Sequence, residues 1–234
     1  MSFRRVDAGT EVTYSAEFTF EGPARFLAPV VQARARAARP AGAGRDERGA
    51  QQALADTRSE GRDVVEWTGQ VYADSPTVAV QTRIQAPPER VWGLATDIHL
   101  MPRLSTELRE VEWLGGATGP ALGHRFSGRN AHPSLGEWET VSTVVECDEP
   151  CRFAWAVGDP SQPSSTWRFT LRPDGAGTML EQWAQLGPAR SGLSRAIDAM
   201  PDKEQKIVFV RLRTFEAGLT RNLAAIKELA ERTP

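Results

Sequence analysis

From Lys203 to Glu231 the chain spells one long amphipathic helix. Val208, Leu212, Phe215, Leu219, Leu223 and Ile226 recur at steps of three and four, which gathers them on one side of a 3.6-residue period. Asp202, with Gln205 three residues on, has the form of a capping box at its start. At a rise of roughly 1.5 Å per residue the helix is about 43 Å long. A stripe of that length needs a broad apolar surface to bury it.

The preceding residues supply such a surface. REVEWLG, GHRFSGRNA, GEWETVSTVVE, CRFAWAVG, STWRFTLRP and GTMLEQWAQL are strand-like runs parted by turn signals, Pro173-Asp174-Gly175 among them. Ahead of them TVAVQTRIQAP alternates as a strand. PPERVWGLATD follows as a short helix, with proline at a permitted start and Pro102 ending the region. GDPSQPSS, with its two prolines, reads as a loop. Successive strands with helices kept to the ends make an α+β fold on an antiparallel sheet.

Composition narrows the function. Charged residues are 25% of the chain and the net charge is −2, so there is no overall pull toward nucleic acid or anionic membrane. The arginines between Arg25 and Arg48 carry no interleaved aromatics and read as a solvated stretch. No apolar run is long enough to span a bilayer and the first residues lack a signal peptide's apolar core, so a cytoplasmic setting is expected. Cys147 and Cys151, in CDEPC, read as reduced thiols flanking a turn. No Ser-His-Asp set, phosphate loop or nucleotide fingerprint is present, and His99, His124 and His132 do not suggest a metal centre. No metal or other cofactor is expected.

AVQTRIQAPPERVWGLATDI and WRFTLRPDGAGTMLEQW, in this order of elements, resemble the START-like superfamily. That superfamily includes polyketide cyclase/dehydrase-type and Bet v 1-like proteins. The resemblance runs from Thr77 to about Glu231. Many members carry a tryptophan shortly after the proline of PRLS; here Leu104 stands near that place. The resemblance implies a helix-grip fold, a curved antiparallel β-sheet wrapped around the long C-terminal helix with an apolar cavity between them. It implies binding of a lipid, polyketide or aromatic metabolite, and in some members cyclisation or dehydration. Two functions stay open: a cyclase/dehydratase-type lyase without metal or nucleotide, and a carrier or sensor that leaves its ligand unchanged. A protein-interaction role is a third.

Strand periodicity selects the residues that would face such a cavity. Trp138, Trp155 and Trp167 form its expected wall with Phe169, and Phe215 faces them from the helix. Asn130 and Thr140 are the expected polar groups of the ligand site. His132 is the expected acid–base residue, because histidine titrates near neutrality. In GTMLEQWAQL, Met179 and Trp183 compete with Leu180 for the interior, so Glu181 and Gln182 are left undecided.

Gly22-Pro23-Ala24-Arg25 recurs as Gly187-Pro188-Ala189-Arg190, each after a Gly-Thr and a strand-like run. Residues 1–60 therefore read as the last strand and closing helix of a partial START-like copy, 61–76 as a linker and 77–232 as the complete domain. In Gly9–Phe20, Val12, Tyr14, Ala16, Phe18 and Phe20 share one face that a lone strand and helix cannot bury. Docking on the complete domain or pairing in a homodimer is expected; the alternative is that the start is truncated and a longer native protein has two whole domains.

Overall fold

The computed structural model describes residues 2–6, 9–13, 67–132 and 136–232. They belong to two units, 1–61 and 62–234. In the first, strands β1 (Ser2–Val6) and β2 (Gly9–Thr13) form an antiparallel hairpin with Phe3 opposite Val12. The strand expected over Gly9–Phe20 is seen to Thr13. Its remainder, the first GPAR and the helix expected after it lie outside the described residues.

The second unit is built on a seven-stranded antiparallel sheet. Its strands are β3 (Thr77–Ile84), β4 (Leu108–Trp113), β5 (Arg125–His132), β6 (Gly136–Asp148), β7 (Arg152–Asp159), β8 (Gln162–Asp174) and β9 (Gly177–Leu186). The order across the sheet is β3-β9-β8-β7-β6-β5-β4, so every neighbour except the β3–β9 pair is consecutive in the chain. Register shifts at Leu108/Glu110, Val144/Glu146 and Val157/Gly158 insert bulges, which bend and twist the strands into a curved surface.

Between β3 and β4 lie α1 (Pro88–Ala95) and the short α2 (Met101–Leu104). Pro102 does not end this region as the sequence suggested. It sits in the first turn of α2, where proline's missing N–H has no helical partner to lose. After β9 the second GPAR turns the chain into α3 (Gly192–Ala199), and α4 (Glu204–Glu231) closes the domain. Gly187 takes φ +77° at this corner, and Gly187 N and Ala189 N donate to the Ser164 and Pro163 carbonyls of β8. Residues 67–76 are tied to the same corner, because Tyr72 Oη donates to the Ala189 carbonyl at 2.8 Å.

Two further sequence expectations fail for local reasons. Asp202 is not the cap of α4. Pro201–Lys203 form a 3-10 turn, the α-helix begins at Glu204, and Lys203 caps it without a side-chain bond. GDPSQPSS is not a loop but a tight hairpin. Asp159 ends β7 opposite Gln162, and its Oδ1 accepts from both N and Oγ of Ser161, which lowers its pKa below the usual carboxylate value. Pro163 is tolerated in β8 because it faces the bulge at Gly158.

α4 buries its stripe on the concave face of the sheet. Its first half, Val208, Leu212, Phe215 and Leu219, packs with Val78, Ala184 and Leu186. Its second half, Leu223, Ile226 and Ala230, joins Ile84, Val91, Phe153, Leu171 and Leu180. Full burial of each such Leu or Ile stabilises the fold by roughly 1.5–3 kcal/mol.

Candidate functional site

Inward positions on consecutive strands stack into a row of aromatic rings. Phe126 of β5, Phe153 and Trp155 of β7, and Trp167 and Phe169 of β8 all point to the concave side. The register places Trp155 directly opposite Trp167 and Phe153 opposite Phe169. The Trp155 and Trp167 rings lie parallel at 6.3 Å, and Trp155 also meets Phe126 at 6.2 Å, Phe153 at 5.4 Å and Phe169 at 6.0 Å. From α4 the Phe215 ring reaches Trp167 at 4.7 Å. Trp155 and Phe215 are 7% and 8% exposed. The rings therefore form a continuous wall across which helix and sheet meet.

The expected polar residues stand at one end of this wall. Thr140 is paired with Gly128 and Trp138 with Asn130 across the β5–β6 ladder. Asn130 Nδ2 donates to the Gly128 carbonyl at 3.2 Å and to Thr140 Oγ1 at 3.3 Å, both longer than the usual 2.9–3.0 Å and so easily exchanged. Gly128 leaves little room there: a Cβ would stand 2.9 Å from Leu108 Cδ1 and 3.1 Å from Thr140 Oγ1, so both side chains would have to shift. Asn130, Trp138 and Thr140 are all half-buried. His132 ends β5 opposite Gly136, two positions beyond Asn130.

Register settles the ambiguous strand. Leu180 faces Leu171 and Gln182 faces Phe169, so Gln182 is interior and 3% exposed. Its amide lies 3.3 Å from that of Asn222 on α4, which in its other orientation donates to the carbonyls of Leu104 and Gly218. Glu181 is on the convex face with Arg172 at 3.7 Å. Trp183 is there too, under the Arg168 guanidinium at 4.7 Å.

Sequence reasoning missed a charged pair. Arg211 of α4 donates from both η nitrogens to the two Glu107 carboxylate oxygens, at 2.8 and 3.1 Å. Its guanidinium lies 4.4 Å over the Phe215 ring, and the two side chains are 23% and 18% exposed. Glu107 precedes β4, and its carbonyl accepts from Ala131 N beside Asn130. The pair thus joins the helix to the β4–β5 edge, at the end of the wall that carries Asn130. Arg211 is four residues from both Ile207 and Phe215, so its place in the apolar stripe was the signal available.

A separate surface cleft of about 390 Å³ opens at the other end of the sheet, lined by Leu114, Gly115, Gly116, His124 and neighbours. Trp113 stands between it and the wall, edge-on to His124 at 6.2 Å and to Phe126 at 5.5 Å. The cleft brings together none of the expected site residues. Cys147 and Cys151 are both free. The Cys147 thiol is held above its ordinary pKa, first by burial and then by Glu149 and Asp148, so it stays protonated. Among the described residues no three His, Cys, Asp or Glu side chains gather as a metal site requires. Among them also, no helix is long and apolar enough to cross a membrane.

Among curated proteins none matches the sequence. A solved polyketide-cyclase-like protein from Corynebacterium glutamicum is 27% identical, with a TM-score of 0.50, over 66% of this chain and 91% of its own. The di-domain ARO/CYC protein BexL of the BE-7585A biosynthetic pathway is 16% identical with a TM-score of 0.53 and shares the fold. It covers 80% of this chain, which in turn spans 61% of it. Residues 75–231, more than half of the chain, match the family model described as polyketide cyclase / dehydrase and lipid transport. With the sheet, the closing helix and the aromatic interior in place, the chain belongs to that family, whose members handle hydrophobic ligands in general.

Proposed function

We propose that residues 77–232 bind a flat, largely apolar small molecule between the concave sheet and α4. The observation that carries this is the parallel Trp155–Trp167 pair facing Phe215. Flat rings offered by a rigid sheet suit a conjugated ligand, and stacking adds to the gain from burial alone. The ligand takes the place of the Trp167–Phe215 contact, so α4 gives way locally while its second half stays anchored in the core. Asn130 and Thr140 exchange their long mutual bond for one to a ligand oxygen. Trp138 and Phe169 complete the wall. In this reading the protein is a carrier or sensor.

Cyclisation with loss of water is a second reading, favoured by the family and by the place of His132 at the end of β5, two positions beyond Asn130. There the wall holds a poly-β-keto chain folded, which removes orientational freedom, and His132 moves the proton. One titration addresses both readings. N-phenyl-1-naphthylamine, a neutral fluorescent probe, is expected to bind wild type and His132→Ala alike in the micromolar range and to be displaced by the natural ligand. Displacement with no change in the ligand supports the carrier. Turnover of the displacing compound by wild type, lost in His132→Ala, supports the enzyme. A probe that does not bind wild type overturns both.

A further inference from the structure

Resting on that reading of the site, we infer that its ligand is electrically neutral, and that Glu107 is the residue that excludes anionic ligands. The groups along the wall are aromatic rings, hydroxyls and amides: Phe126, Thr140, Trp155, Trp167, Gln182 and Asn222. Among the described side chains, Arg211 brings a charge against this wall, through Phe215. An unpaired guanidinium there would capture a carboxylate or sulfate from any flat apolar acid.

Glu107 prevents this. Its carboxylate takes one N–H from each η nitrogen, the geometry an anionic ligand would need. Glu107 is tethered by the chain on both sides. It therefore pairs without the loss of translational freedom that a free anion would suffer. A ligand anion would also lie against the displaced carboxylate in a half-buried site, where like charges repel strongly. Glu216, a low-exposure carboxylate on α4, is likewise tied, to Arg213 at 2.6 Å. What remains available are Asn130 and Thr140, which suit a carbonyl or hydroxyl oxygen. The ligand class is therefore a neutral, oxygen-bearing conjugated molecule, not a fatty or aromatic acid.

The test uses two probes of one skeleton, N-phenyl-1-naphthylamine and its 8-sulfonate, measured by calorimetry. Wild type is expected to bind the neutral probe at least about tenfold more tightly, a difference of about 1.4 kcal/mol. Glu107→Gln, which keeps shape and one acceptor, is expected to erase or reverse that preference by strengthening sulfonate binding. Arg211→Gln is expected to keep or widen the preference, and its neutral-probe affinity checks that the wall is intact. Equal binding of the two probes by wild type overturns the neutral-ligand inference and leaves the ligand reading standing. An unchanged ratio in Glu107→Gln overturns Glu107 as the residue that excludes anions. Failure of wild type to bind either probe overturns the reading beneath it.

Discussion

Trp155→Ala is expected to destabilise the domain by about 3–5 kcal/mol and to abolish probe binding. Trp155 is the hub of the aromatic row, touching Phe126, Phe153, Trp167 and Phe169. Removing the indole opens a large void in a region only 7% exposed, and β6, β7 and β8 cannot collapse into it without breaking their ladders. Urea unfolding measures the loss. Trp155→Phe separates the two effects: it keeps most of the packing, so stability largely recovers, while the parallel stack with Trp167 is lost and affinity falls. A Trp155→Ala protein within about 1 kcal/mol of wild type would show that the row is not part of the core.

The second large effect comes from a residue with no side chain. Gly177 opens β9, and a Cβ added to it would stand 2.4 Å from the backbone carbonyl oxygen of Ile84. That atom belongs to the end of β3, where Ile84 is fully buried opposite Thr178. Thr178 Oγ1 also donates to the Ala86 carbonyl at 2.7 Å. Backbone cannot swing aside as a flexible side chain can. Gly177→Ala is expected to cost about 3 kcal/mol by prying β3 from β9. Gly93→Ala is the control. Gly93 is exposed inside α1 with nothing within 4 Å of its added Cβ, so alanine there is expected to stabilise by about 0.5–1 kcal/mol. Opposite signs for one substitution, read from thermal melts, test the close approach itself.

The parity of β7 and β8 was legible because large rings alternate there with small or charged residues: Phe153 and Trp155 against Ala154, Trp167 and Phe169 against Arg168. β9 was not legible, since Met179 and Trp183 are as apolar as Leu180 and Leu186. Only the pairing with β8 decides it, and Trp183 is tolerated outside because Arg168 covers it. The stripe of α4 was readable to its end, but its start was not. Pro201 imposes a 3-10 turn that consumes Asp202 before the helix begins. The Glu107–Arg211 pair spans 104 residues, and no local pattern joins them. Such a contact exists only once α4 and the segment leading into β4 are folded against one another.

The central claim is that ligand binds against the concave wall. It is tested most directly by the indole N–H resonances of the seven tryptophans, followed during titration with N-phenyl-1-naphthylamine. The account predicts that Trp155 and Trp167, each assigned by a Trp→Phe variant, shift strongly and saturate together. Trp183 on the convex face, and Trp113 beside the separate cleft, should stay in place. Shifts confined to Trp113, or to Trp183, with Trp155 and Trp167 unmoved would contradict it.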